Sequence, residues 1–251
     1  ETYDRLSNFK EIFKIMSLNK FTFNYFLVLF SLIPITFLIG SAVSVSNILL
    51  IDLSFLILVI LKRDFIFLKS KSILYLFVLY IYLIFNSFIS LEFYEGLARN
   101  LGFIRMIILF AAFNYFLRDK IFYHKMIKFW FAVIIIVLVD VCIEGLSGQN
   151  ILGNSGKLGF IGETNSRIVS FFKDEQIVGT FINGFYLILI GFLCNEYKDK
   201  SLLLVFTIAL LFLFIIIITG ERSTSIKAFL GLGLFLLFIK QINLKKKIIF
   251  F

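Results

Sequence analysis

Long runs of apolar residues, separated by short polar segments, extend along most of this chain of 251 residues. A helix needs about 20 mainly apolar residues to cross the hydrocarbon core of a bilayer, and runs of about this length recur through the sequence. We therefore predict an all-α, polytopic membrane helical bundle with about eight transmembrane helices. The predicted spans cover residues 23–40, 42–61, 73–91, 101–117, 129–146, 177–194, 202–219 and 226–239.

The composition excludes an ordinary soluble protein and a disordered one. Hydrophobic residues make up 60% of the chain and charged residues 16%, and the mean hydropathy is +0.99. A typical soluble domain is about 45–50% apolar and about 25% charged, and disordered segments have low hydrophobicity. We interpret the 35 phenylalanines as apolar filler of this composition rather than as an aromatic ligand site.

Lysine and arginine are unevenly distributed among the predicted loops. Most of the 25 basic residues fall in the N-terminal segment and in the connections after the second, fourth, sixth and eighth spans. Because cytoplasmic loops carry an excess of Lys and Arg, we predict that these segments and the N-terminus are cytoplasmic. The net charge of +9 then follows from topology, and we expect no nucleic-acid partner.

Both ends of the chain carry further signals. Leu6, Phe9, Phe13 and Met16 recur at helical spacing with lysines between them, which predicts an interfacial helix on the cytoplasmic surface of the bilayer. Residues 248–251 read as the beginning of another span. We therefore expect residues 1–251 to form a single integral membrane domain, a C-terminally truncated fragment of a larger bundle.

The cysteines and the histidine do not indicate a metal site, a disulfide or a cofactor. Cys142 and Cys194 fall near opposite ends of two predicted spans, too far apart for a disulfide. The single histidine, His124, falls in a predicted cytoplasmic loop, which leaves no support for a histidine metal site or a catalytic triad.

Charged residues within spans are costly and are candidates for function. Asp52 falls in the middle of the second span, where a hydrogen-bonding role and a proton-relay role both remain open. Arg105 falls in the outer part of the fourth span, and Asp140 and Glu144 lie on one face of the fifth. Structural pairing of Arg105 with these two carboxylates is as plausible as a functional role.

The richest polar segment is the long predicted periplasmic loop 147–176. Connections of this length are usually functional or disordered, and this one contains Arg167. The next outward turn, 219–225, contains Gly220, which is suited to end a helix, and Arg222. Ser223 and Thr224 follow and are suited to cap the next helix. A purely structural role for this turn is therefore the alternative to a functional one.

Arginines gather on this predicted outer side, which is otherwise poor in basic residues. Arg105, Arg167 and Arg222 fall there, and so does Arg99, for which Glu95 four residues earlier offers a local ion pair. The planar guanidinium group binds phosphate oxygens in a bidentate manner and stays charged. This set of arginines suits the head group of a phosphorylated lipid.

Two motifs resemble a known family of membrane enzymes. The segments SRIVSFFKDEQIVGTFI at 166–182 and TGERSTS at 219–225 are similar to those of bacterial O-antigen polymerases and O-antigen ligases. These are multi-pass glycosyltransferases that act on undecaprenyl-pyrophosphate-linked glycans. The matching positions are Arg167, Phe171, Phe172, Asp174, Glu175, Gly179, Gly220, Glu221, Arg222 and Ser223. Lys173 departs from the pattern, because many relatives have glycine there.

The resemblance implies a reaction and roles for named residues. Glycan would pass from undecaprenyl pyrophosphate to a sugar or glycolipid acceptor at the periplasmic face of the bacterial inner membrane. Fixed cations would stabilise the charge that develops on the pyrophosphate, so no metal and no other cofactor is expected. Arg167 and Arg222 would be catalytic, with a general base among Asp174, Glu175 and Glu221. The pyrophosphate would also be bound by Arg105, Arg99, Lys173 and Ser223.

Other functions remain open from the sequence. A ligase that transfers glycan to a lipid A-core acceptor differs from a polymerase in segments beyond residue 251. A non-catalytic transporter of polysaccharide or lipid-linked oligosaccharide is the main alternative from another class. We find no internal repeat and only one proline, Pro34, whereas transporters tend to have repeats and broken helices.

Overall fold

The computed structural model describes residues 20–65, 68, 70–90, 93–153, 167–172, 175–197 and 202–238. Within these ranges the regular structure is entirely helical. We number the α-helices in chain order from α1 to α10, and a short 3-10 turn, Ser170–Phe172, lies between α7 and α8. The α-helices are Lys20–Ser31, Ile33–Ile39, Ser41–Lys62, Lys71–Ile89, Phe93–Leu101, Ile104–Phe116, Lys120–Ser147, Val178–Glu196, Leu202–Ile218 and Arg222–Phe238.

Each of the predicted spans falls on helical structure. Five segments are long and apolar enough to cross a membrane, which is consistent with the predicted multi-pass membrane protein. These segments are Ser41–Lys62, Lys71–Ile89, Phe93–Phe116, Lys120–Ser147 and Val178–Glu196. The predicted first span corresponds to α1 and α2, which are bent by 41°. The predicted seventh and eighth spans correspond to α9 and α10, which have 17 residues each.

Two residues explain the geometry of the first predicted hairpin. Pro34 lies in the first turn of α2, just after the bend, and its ring removes a backbone donor and crowds the preceding turn. Gly40 separates α2 from α3 with φ +145°, a backbone conformation that side chains disfavour. The tight turn predicted between the first two spans is therefore confirmed, and glycine makes it possible.

Two helices differ from the predicted bounds. The segment Phe93–Leu101 was expected to be an outer loop, yet it forms α5 and joins α6 through a break at Gly102 and Phe103. Asn100 of α5 donates hydrogen bonds to Leu83 O and Ser87 Oγ of α4, which explains why the segment packs as a helix. Helix α7 begins nine residues before the predicted span, so His124 lies in its first turns rather than in a loop.

Large apolar side chains are exposed along the helices. In α4 only Ile73 and Ser87 are buried, although the helix consists mainly of Leu, Ile, Phe and Tyr. Soluble monomers rarely expose such continuous apolar surface, whereas hydrocarbon accommodates it. This exposure agrees with the membrane assignment from hydropathy.

The chain divides into two compact units. The first unit comprises residues 1–33 and 42–126, and the second comprises 34–41 and 127–251. Phenylalanines form the core of the first unit, where the Phe116 ring lies 4.3 Å from that of Phe26 and 5.2 Å from that of Phe122. Phe30 and Phe55 join the same cluster. These phenylalanines serve as packing residues.

The second unit is built around α8, which packs against both α9 and α10. Tyr186 of α8 is fully buried, and its hydroxyl donates to Ala209 O at 3.0 Å. Trp130 of α7 packs edge-on against Phe185 at 5.1 Å. Most of the face that α8 presents to these neighbours is apolar, so this helix is the central element of the unit.

Some predictions fall outside the described residues. They are the interfacial helix around residues 6–16, the further span at 248–251, and much of the loop 147–176, including Lys173 and Asp174. The count of eight spans and the single domain stay predictions. Cys142 and Cys194 are both free cysteines, in agreement with the sequence argument.

Candidate functional site

Two carboxylates of α7 hold the end of the long loop. Glu144 accepts hydrogen bonds from the backbone N–H groups of Val169 at 3.1 Å and Ser170 at 2.6 Å. Asp140 accepts from the Ser170 hydroxyl at 2.5 Å and from the Ile151 N–H at 2.8 Å. Both side chains are buried: Glu144 is 3% exposed and Asp140 is 0% exposed. They fix the two ends of the loop to one helix.

Ser170 is the residue around which this anchor is built. Its φ of +49° is unusual for a residue with a side chain and costs about 1–2 kcal/mol. The hydroxyl and N–H of Ser170 bond to the carboxylates, and its carbonyl accepts from Asn150 Nδ2 at 2.5 Å. Ser170 is fully buried and each of its polar groups is hydrogen-bonded, and these bonds offset the strain. The loop end at 167–172 is therefore a defined structure.

A third carboxylate, Glu221, organises the next outward turn. Its Oε1 accepts from the Gly179 N–H at 2.7 Å, and its Oε2 accepts from the N–H and hydroxyl of Thr180 and from the Thr224 hydroxyl. Gly179 and Thr180 lie in the first turn of α8, where backbone N–H groups lack partners within the helix. Glu221 thus satisfies the N-terminus of α8 from the start of α10, and the helix dipole favours its charge there.

This geometry corrects one prediction about the turn. Ser223 and Thr224 were expected to cap α10, but α10 begins at Arg222, so both lie inside its first turn. Glu221 occupies the preceding position. Gly220 has φ +80° directly after α9, which confirms that it ends that helix.

Gly179 is required by the close approach of this turn to α8. A Cβ atom at Gly179 would lie 2.6 Å from Thr219 Oγ1 and 3.0 Å from the Glu221 carboxylate. Such distances are well inside van der Waals contact, so any side chain would push the turn away. The matching glycine in the family motif therefore has a structural explanation in this chain.

The loop end and the turn are also joined to each other. The Ile168 N–H donates to Thr219 O at 3.4 Å. Arg167 directly precedes Ile168, and Arg222 follows Thr219 by three residues, so the two arginines belong to one hydrogen-bonded cluster of backbone. Both side chains are exposed. Within the described part of the chain neither makes a hydrogen bond or an ion pair.

The other candidate residues are divided between the two units. Arg105 and Arg99 lie in the first unit, on α6 and α5. Arg99 and Glu95 are both exposed, and no ion pair joins them in the ranges that the structure covers. Glu175 and Ser223 lie in the second unit and are exposed, whereas Asp174 and Lys173 fall outside the described residues.

The sequence argument missed the scaffold function of the acidic residues. Asp140 and Glu144 bond to the loop, a role that the sequence argument did not predict. Asn150, Ser170 and Thr180 were not singled out at all. The four-residue spacing of the two carboxylates on α7 was the available signal, but their partners depend on how the loop folds back.

Among the residues that the structure describes, no three His, Cys, Asp or Glu side chains lie close enough together to hold a metal ion. The positively charged groups of the cluster are instead Arg167 and Arg222.

Comparison with known proteins adds no assignment. No protein-family model, no curated protein and no solved structure matches this chain. The resemblance to O-antigen polymerases and ligases therefore depends on the two short motifs alone.

Proposed function

We propose that this chain is a metal-independent membrane glycosyltransferase, an O-antigen or surface-polysaccharide polymerase. It transfers glycan from undecaprenyl pyrophosphate to a sugar acceptor at the periplasmic face of the bacterial inner membrane. In this proposal all eight helical segments cross the bilayer, the N-terminus is cytoplasmic and residues 6–16 form the interfacial helix. An O-antigen ligase with a lipid A-core acceptor shares the same chemistry.

One observation carries the proposal. Arg167 and Arg222, the arginines of the two family-like motifs, belong to backbone segments that a hydrogen bond between Ile168 and Thr219 joins. Segments separated by 50 residues in the chain thus contribute to one cluster. Two exposed guanidinium groups presented in this way suit the two phosphates of a pyrophosphate.

The position of Arg222 supports an anion-binding role. It is the first residue of α10, where the helix dipole presents positive charge and disfavours a cation by about 0.3–1 kcal/mol. An arginine there does not stabilise the helix, but the arginine and the helix terminus together favour a bound anion. The negative charge that develops on a pyrophosphate leaving group would be stabilised at such a position.

The carboxylates divide into two groups in this mechanism. Glu221 accepts four hydrogen bonds, so we now give it a positioning role that fixes the turn before Arg222. Exposed Glu175 and the neighbouring Asp174 remain the candidates for the general base that takes the proton of the acceptor hydroxyl. Ser223, beside Arg222, is a further ligand for phosphate oxygens. Arg105 and Arg99 lie in the first unit, and their part in binding the pyrophosphate stays a prediction.

Replacement of either arginine tests the proposal directly. With purified protein and a synthetic undecaprenyl-pyrophosphate glycan, we expect Arg167→Ala and Arg222→Ala each to lower the transfer rate about 100-fold or more. Arg118→Ala is the matched control, because Arg118 is also exposed and lies in the turn before α7. Wild-type rates in both cluster variants, at equal protein abundance, would contradict the assignment.

A transporter of lipid-linked oligosaccharide is favoured by one specific feature. The span Phe93–Phe116 is broken at Gly102 and Phe103, next to Arg105, and broken helices with midplane charges are typical of transporters. Glycan transfer by the purified protein would support the enzyme. Movement of the lipid-linked glycan across a vesicle membrane, without transfer, would support the transporter.

A further inference from the structure

Asp52 and Arg105 are two charged side chains of the first unit. Asp52 lies near the middle of the 22-residue helix α3, and Arg105 lies near the middle of the 24-residue segment Phe93–Phe116. Arg105 is the charged group that acts electrostatically on Asp52. Both helices are membrane-spanning candidates, and charged side chains within such segments are costly and usually functional.

The polar atoms of this pair are incompletely satisfied. Asp52 is 3% exposed, and neither of its carboxylate oxygens accepts a hydrogen bond from any described residue. The Nε of Arg105 is also buried and has no acceptor in the described part of the chain. Burying such groups without a hydrogen-bond partner is costly. A bound polar group that both donates and accepts would satisfy these atoms.

The backbone beside Arg105 departs from the α-helix. At Gly102 and Phe103 the α-helical pattern stops, and the N–H of Met106 donates instead to Phe103 O. Non-helical backbone at membrane depth is tolerated only where protein covers it or where it borders a cavity. The break in the helix thus lies two residues before Arg105, whose Nε has no acceptor among the described residues.

An apolar cavity of about 300 Å³ begins one helical turn away on the same two helices. Phe55 and Leu56 follow Asp52 by one turn on α3, and Ile107 and Ile108 follow Arg105 on α6; all four line the cavity. Its volume is about twice that of a roughly 150 Å³ cavity known to take up benzene. Ligand sites commonly combine such an apolar volume with a few polar groups that orient the ligand.

We infer that the first unit binds a neutral, hydroxyl-headed lipid whose chain fills this cavity and whose hydroxyl lies between Asp52 and Arg105. The hydroxyl donates to the carboxylate and accepts from the guanidinium group, which satisfies the orphaned atoms of both. When both groups are ionised, the charges of Asp52 and Arg105 cancel, so a neutral head leaves the buried site neutral, whereas an anionic head would add an uncompensated charge. The inference is independent of the function proposed for the second unit.

The test uses the full chain in phosphatidylcholine nanodiscs. The probe is dodecanol with a photoactivatable diazirine at the far end of the chain, and peptide mass spectrometry locates the label. We expect labelling at the cavity end remote from the charge pair, on Phe65, Leu68, Ile73 and Phe77. Unlabelled dodecanol should compete about tenfold better than dodecanoate at about pH 9, where the fatty acid is ionised.

Two variants test the two parts of the site separately. Ala111→Leu fills the cavity and should abolish labelling of these residues, whereas Ala98→Leu, the same change at an exposed position of α5, should leave it intact. Asp52→Asn leaves Arg105 without its counter-charge and should reverse the preference, so that dodecanoate competes better than dodecanol. This reversal does not depend on the behaviour of Ala111→Leu.

Three outcomes would overturn the inference. They are labelling of the wild type spread over the lipid-exposed helix faces, equal labelling in Ala111→Leu, and an unchanged head-group preference in Asp52→Asn. Concentrated labelling that Ala111→Leu removes, together with a reversed preference in Asp52→Asn, would establish the site.

Discussion

At the scale of single residues, the acidic side chains of the second unit differ in what they can tolerate. Glu144 faces two backbone N–H groups, of Val169 and Ser170, and both can only donate. Asp140 faces one N–H, of Ile151, and the Ser170 hydroxyl, which can donate or accept. The two carboxylates therefore predict different responses to conversion into amides.

We expect Glu144→Gln to lower the free energy of unfolding by about 1–3 kcal/mol, because its amide NH₂ must oppose an N–H group in a buried site. Asp140→Asn should cost less than about 1 kcal/mol, because the Ser170 hydroxyl can accept from the new NH₂. The fluorescence of Trp130, the one tryptophan in the chain and buried in the second unit, reports unfolding. Equal losses in the two variants would contradict the hydrogen-bond pattern.

At the scale of elements, the start of α8 is fixed by how closely the turn after α9 approaches it. The sequence indicates that 177–194 is apolar and helical, and the structure agrees closely with Val178–Glu196. The reason for glycine at 179 is visible only when Thr219 and Glu221 are placed against it. Local propensity would favour alanine in the same helix.

Two alanine substitutions in α8 separate these effects. Gly179→Ala should destabilise the second unit by about 1–3 kcal/mol, because the new methyl group overlaps Thr219 and the Glu221 carboxylate. Gly184→Ala, for which the space around the new Cβ is open, should stabilise it by up to about 1 kcal/mol. Thermal midpoints from Trp130 fluorescence provide the measurement, and a shift of the same sign in both variants would argue against the close approach.

Local composition determines the bounds of some helices, and contacts between helices determine the bounds of others. Apolar runs locate the helices because burial in hydrocarbon depends only on the composition of each segment. Helix α5 was missed because its polar residues read as loop, and its packing depends on hydrogen bonds from Asn100 to α4. A contact between separate helices leaves no periodic signal in either one.

At the scale of the whole molecule, orientation in the membrane is the property that the sequence predicts and that can be checked most simply. The loop 147–176 has three basic residues in 30 positions, whereas the shorter segment 118–128, around the start of α7, has four in 11. The positive-inside rule predicts that the first is periplasmic and the second cytoplasmic. The proposed active site requires this arrangement.

Single introduced cysteines test the orientation, after both native cysteines, Cys142 and Cys194, are replaced by alanine. Gln149→Cys and Arg118→Cys are at exposed positions. We expect a membrane-impermeant maleimide to label Gln149→Cys in intact cells and Arg118→Cys only after the membrane is opened. The reverse pattern would invert the topology and place Arg167 and Arg222 on the cytoplasmic side.

By itself the sequence determined that the chain is helical and has several segments long and apolar enough to span a membrane, because those properties depend on the composition of each segment. It also identified Arg167 and Arg222 as residues suited to phosphate. Tertiary structure alone decided that Glu144 and Glu221 serve the backbone and that Asp52 and Arg105 interact. Hydrogen bonds and charge pairs between distant segments depend on distances that only the folded chain defines.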